Sequence, residues 1–116
     1  MTTDTLIRKH DSTATAIDAM VRRIVAQFDP EQIVLFGSHA RGTAGPDSDV
    51  DLLVIMPFFG SKRAKQLELR MAVYDVAVPK DIILVSPDEI AERRNVPGTV
   101  IQPAMQEGQV IYARGG

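Results

Sequence analysis

The sequence predicts an α+β domain, a small mixed β-sheet with helices packed mainly on one face. Three observations lead there. Short, apolar, β-branched runs recur at QIVLF (32–36), VDLLVIM (50–56) and DIILV (81–85), each the length of a buried strand. Segments with helical spacing lie around them. The first two runs are too close for a comfortable helical crossover, so those strands should be antiparallel neighbours.

Each element follows in order. From Ser12, the residues Ile17, Val21, Ile24, Val25 and Phe28 fall on one helical face, with Arg22, Arg23 and Gln27 opposite. Asp29-Pro30 stops that helix, because the residue before proline avoids helical geometry. Strand 32–36 ends in glycine. Residues 37–48 form a loop with one helical turn after Gly37, and Gly42 and Gly45-Pro46 read as turn residues. Strand 50–56 is closed by Pro57 and Gly60. Residues 61–75 are helical, with Leu67, Met71 and Tyr74 on one side. Strand 81–85 follows. Ser86 with Glu89 three residues later is a capping box that opens a short helix to about Arg94. NVPG (95–98) is a loop, 100–107 a short helix with Pro103 near its first turn, and Gly108 ends it. Gln109–Ala113 is a last, edge strand, which can pair across a homodimer.

Composition narrows the class. The 116 residues, 45% of them apolar, make one folded domain over 1–116, with residues 1–11 expected to fray. A net charge of −2 gives no bulk attraction to nucleic acid or anionic membrane, so direct nucleic-acid binding is not expected. The absence of cysteine excludes disulfides, thiolate metal sites and cysteine nucleophiles. No run is long enough to span a membrane, and the first residues lack a secretory layout, so a cytoplasmic protein is expected.

The chemistry concentrates in FGSHARGTAGPDSDVD, residues 36–51. Asp49 and Asp51 are two apart at a strand start, so both carboxylates emerge on one face, about 7 Å apart along the backbone. Like charges held together repel, and a divalent cation with a taste for oxygen, Mg²⁺ or Mn²⁺, relieves them. Asp81 opens the next apolar strand in the same manner and joins the pair if the strands are neighbours. Three converging carboxylates can hold metal and leave an oxygen free to take a proton. Gly37-Ser38 ends the preceding strand, where a glycine lets backbone approach a ligand and free N–H groups can hold phosphate. Arg41 is close enough to reach a phosphate or an aspartate. Each piece alone has a plainer reading: a solvated strand start, an ordinary turn. Their combination places a phosphate cradle beside metal ligands on a neighbouring strand.

Other residues carry less. His10 and His39 have no spaced companion and are poor metal ligands. Lys62, Arg63 and Lys65 read best as a solvated basic face. Met56, Phe58 and Phe59 are core or a rim patch, and Tyr74 and Tyr112 are packing residues.

FGSHARGTAGPDSDVDLLVIM resembles the signature of the DNA polymerase beta-like nucleotidyltransferase superfamily, in which Gly-Ser is followed about ten residues later by Asp-x-Asp. It is most similar to the minimal nucleotidyltransferase (MNT) branch, which KDIILVSPDEI and EGQVIYAR also resemble. The resemblance implies metal-dependent transfer of a nucleotidyl group, usually AMP from ATP. Gly37 and Ser38 would then hold the triphosphate, Asp49 and Asp51 the metal, and Asp81 would be the third carboxylate, metal ligand and candidate base, with Arg41 a phosphate contact. It further implies a HEPN toxin as partner, with this chain as the antitoxin that modifies it. The competing reading is a non-catalytic antitoxin that masks the toxin.

Overall fold

The computed structural model describes residues 2–45 and 47–115, with side chains from Thr13 onward. Pro46 of the expected Gly45-Pro46 turn and the side chain of His10 lie outside the described residues, as does most of what bears on fraying over 1–11.

Helix α1 spans Thr2–Phe28 and so begins well before Ser12. No glycine or proline interrupts residues 1–28, and nothing else in that stretch forbids helix. Its end is as expected: Asp29 adopts φ 49 ahead of Pro30, and Arg114 clamps that corner by donating to the Asp29 carbonyl at 3.0 Å. Strand β1 (Gln32–Phe36) and the single turn α2 (Ser38–Arg41) follow, then β2 (Val50–Ile55), α3 (Lys62–Val73), β3 (Lys80–Val85), α4 (Pro87–Arg93), α5 (Ile101–Glu107) and β4 (Gln109–Ala113).

The sheet order is β3-β2-β1-β4. β1 is antiparallel to both β2 and β4. β2 and β3 run parallel with α3 as the crossover, so the sheet is mixed. Alternation along the strands gives each face its own core. Ile33, Leu35, Leu52, Val54, Ile82 and Leu84 face α1 and α3, where Met20, Ile24, Leu69 and Val73 cover them. Val34, Leu53, Ile55 and Val85 face the other way, under Ile90 of α4 and Ile101 and Ala104 of α5. The two long helices thus share one face, while the short pair covers part of the second.

In α3 the expected shared side is present. Leu67, Met71 and Tyr74 do share a side, but that side is solvent: they are 59%, 58% and 69% exposed. Tyr74 is therefore not a packing residue, whereas Tyr112 does pack against the core. The buried face is Leu69 and Val73, two positions on from Leu67 and Met71. Lys80 closes the α3–β3 turn by donating its ammonium to the carbonyls of Tyr74, Val76 and Val78. The capping box at Ser86 and Glu89 forms as expected. Phe58 is half-buried against the core, while Phe59 is almost fully exposed. Lys62 pairs with Glu89 at 2.7 Å and Lys65 with Glu68 at 3.1 Å, a structural use of the basic cluster.

Gly108 ends α5 in an extended conformation that any residue can adopt, φ −74. Its constraint is space: a Cβ there would collide with the Ala104 carbonyl and the Val34 side chain. Gly108→Ala is expected to destabilise the fold by about 1–3 kcal/mol through overpacking between α5 and β1. Urea unfolding measures this, and a loss below about 0.5 kcal/mol would show that the α5–β4 corner yields freely.

Candidate active site

The site starts where β1 ends. Phe36 stands opposite Asp51 in the antiparallel ladder, so the next residue lies against the Asp51 carboxylate. That residue is Gly37, at φ 75 and ψ −156. A Cβ there would collide with Oδ2 of Asp51. Glycine is therefore required twice, once by the backbone angle and once by the approach of the acid.

α2 follows at once. The amides of Ala40 and Arg41 both bond back to the Gly37 carbonyl at 3.1 Å, and the turn closes on Gly42 at φ 75. The first amides of a helical turn have no partner within it. The turn is held from two sides. His39 donates from Nε2 to the Ser48 carbonyl at 3.1 Å, which ties α2 to the segment entering β2. Gln109 donates its side-chain amide to the Ala40 carbonyl at 2.8 Å. Arg41 lies 3.5 Å from Glu107, so the predicted phosphate contact is engaged by α5 here. Ser48 and Gly45 bond to each other, amide to carbonyl and amide to hydroxyl, and close the remaining loop.

The three predicted carboxylates share one end and one face of the sheet. Asp51 and Asp81 are partners across the parallel β2–β3 ladder. Asp49, exposed just before β2, falls on the same face by alternation. Burial raises the Asp51 carboxyl above its ordinary value, and the negative charges of Asp81 and Asp49 raise it further, against a smaller opposing pull from His39 and Arg41. This repulsion, only partly relieved, within an all-oxygen donor set fits a divalent cation. Among the described residues, no three ligating side chains already close into a finished cage, so the acids share a face without being drawn together.

Two participants were not legible beforehand. Arg70 of α3 reaches round the sheet edge and places its guanidinium 3.7 Å from Asp81. An arginine on a helix surface carries no signal of this in one sequence. His39 was set aside as a metal ligand, and its hydrogen bond to Ser48 appears only once the loop is folded.

A glycine turn after one strand thus lies beside carboxylates on the next two. The model of the nucleotidyltransferase domain matches residues 18–108, and the chain belongs to that family. Solved structures agree in fold. A protein described as a candidate nucleotidyltransferase from Sulfolobus solfataricus is 20% identical with a TM-score of 0.59, over 93% of this chain and 86% of that one. A doubly substituted toxin–antitoxin MntA–HpeT structure is 16% identical with a TM-score of 0.61, over 84% and 73%. A toxin–antitoxin structure with AMP-PNP is 20% identical with a TM-score of 0.58, over 87% and 73%. No curated protein is similar enough to count as a relative. No helix among the described residues is long and apolar enough to cross a membrane.

The raised Asp51 carboxyl has a consequence for stability. The folded chain holds that proton more tightly than the unfolded chain, so the group favours folding below the ordinary carboxylate range. The benefit is lost as pH rises through the raised value. Asp51→Asn is expected to raise the thermal midpoint at pH 7 without divalent cation, and the gap from wild type should close below about pH 4. A variant less stable than wild type at pH 7 would mean that favourable contacts, not repulsion, dominate at Asp51.

Proposed function

We propose that this chain transfers AMP from ATP to a hydroxyl of a protein acceptor, and that it acts as the antitoxin of a HEPN toxin that is the acceptor. The observation that carries the transfer reading is the juxtaposition of the Gly37–Ser38 turn with Asp49, Asp51 and Asp81 at one end of the sheet. The partner reading is supported by the fold shared with toxin–antitoxin structures, one of them solved with AMP-PNP, and by the motifs of the MNT branch.

In this reading, Gly37 and Ser38 hold the triphosphate, with Arg41 exchanging Glu107 for a phosphate. Asp49, Asp51 and Asp81 hold Mg²⁺, or Mn²⁺ in its place. When bound, the metal supplies positive charge to neutralise the triphosphate and its leaving group. The acceptor oxygen forms a bond to the α-phosphorus, the bond from the α-phosphorus to the bridging oxygen breaks, and pyrophosphate leaves. Asp81 accepts the hydroxyl proton. The protein contributes mainly position: His39 and Gln109 fix the cradle, and the β1–β2 register fixes the acids against it.

The test is label transfer from α-labelled ATP to proteins of the source cell, comparing wild type with Asp49→Asn/Asp51→Asn. A protein band labelled only by wild type, with at least about a hundredfold loss in the variant, is the expected result. No band, with the toxin still bound and inhibited by the variant, would replace catalysis by masking. Metal binding is checked separately. Mg²⁺ should raise the thermal midpoint of wild type, by about 2.7 kcal/mol of stability at a hundredfold excess over Kd, and leave the double variant unmoved. Equal shifts in both proteins would remove these aspartates from the metal site.

A further inference from the structure

The edge formed by α3 and β3 shares Arg70 with the site described above and also carries an apolar stripe and a cleft that the site does not use. Leu67, Met71 and Tyr74 form an outward apolar stripe at i, i+4 and i+7, each more than half exposed. Beside it, a cleft of about 330 Å³ opens between the end of α3 and β3, floored by Val73, Val78, Pro79 and Ile82. Arg70 and Tyr74 stand at its rim. Lys80 also lines it, but its ammonium is occupied by three backbone carbonyls. Arg70 is half exposed and its guanidinium is 3.7 Å from Asp81. The cleft and the candidate base therefore share a residue.

Strand order gives this edge a direction. The phosphate turn follows β1, the paired acids enter β2, and Asp81 lies on β3, the outermost strand on that side. A triphosphate held at Gly37 and Ser38 occupies the inner side of the acids. Asp81 faces the α4–α5 side of the sheet, and Arg70 reaches it round the open β3 edge from the α3 side, so an acceptor hydroxyl that meets Asp81 can come from beyond β3.

We infer that this edge is the docking surface for the acceptor polypeptide, with an apolar side chain of the acceptor in the cleft and an acidic side chain against Arg70. The inference rests on the nucleotidyl-transfer reading above and adds where the acceptor is held and by what chemistry. Charge favours an acidic occupant. Arg70 is paired with Asp81 while Asp81 is free, and a cation drawing on that carboxylate leaves the guanidinium in need of another anion. The apolar stripe supplies the desolvated area that an arginine contact alone would lack.

The experiment measures acceptor KM and ATP affinity separately, using the full chain and the protein band labelled by wild type. Leu67→Asp and Tyr74→Asp change only exposed side chains, so both variants should fold. Each is expected to raise acceptor KM by about tenfold or more, with ATP affinity held within about twofold. Arg70→Glu should weaken the acceptor similarly, while Arg70→Lys keeps most of its binding. Because the chain has no cysteine, Tyr74→Cys bearing a photocrosslinker should capture the labelled acceptor, and Arg22→Cys on exposed α1 should not. Unchanged acceptor KM in the stripe variants would overturn the proposal. So would a parallel loss of ATP affinity, which would make the nucleobase the occupant, or a crosslink between two copies of this chain. If wild type labels no protein, the proposal falls with the reading it rests on, and that failure is recognised because it appears in wild type itself.

Discussion

The functional end of this molecule depends on the register of β1 against β2. With Phe36 opposite Asp51, the β1 turn must pass directly over the Asp51 carboxylate. Only a residue without a side chain can do so, and Gly37 does it at a φ that other residues resist. A slip of one position would turn Asp49 and Asp51 into the core between the sheet and α1 and expel Leu52 and Val54 to the other face. The apolar alternation of β2 therefore enforces the placement of its acids. Burying Leu52 and Val54 completely is what keeps two mutually repelling carboxylates at the surface end of the same strand.

That arrangement works against the stability of the empty fold. Asp51 is raised first by burial and then by its two acidic neighbours, and the cationic groups nearby relieve it only in part. Arg41 is shared with Glu107, and Arg70 leans on Asp81 from outside the sheet. The remaining imbalance is the kind that a divalent cation resolves. The clamps around α2 suit that demand. His39, Gln109 and the Gly37 carbonyl hold the turn in place before any ligand arrives, which lowers the ordering cost of binding.

Much of this was readable in the chain. β1 was readable residue for residue because its β-branched run ends in glycine, and the α4 cap because Ser86 and Glu89 form a local reciprocal pair. Asp49 and Asp51 were legible from strand alternation, and Asp81 from its place at the head of an apolar strand. What stayed hidden depends on distant contacts. Which side of α3 is buried was not legible, because the larger apolar residues, Leu67, Met71 and Tyr74, face solvent and the smaller pair, Leu69 and Val73, faces the sheet. The early start of α1 was missed because the apolar pattern begins late, while helix continuation needs only the absence of a breaker. Arg70 and His39 act across the fold, through partners that spacing along the chain does not reveal.

The unequal helices leave part of the second face open. α1 has 27 residues and α3 has 12, and together they seal the first face. α4 and α5 have 7 each, enough to cover Leu53, Ile55 and Val85 but not the end of the sheet that bears the acids. Longer helices there would bury more apolar surface and would also bury Asp49, Asp51 and Asp81, whose charges cannot be desolvated without partners. The open end is thus the condition for holding those acids at all. The same openness leaves the acids accessible to solvent.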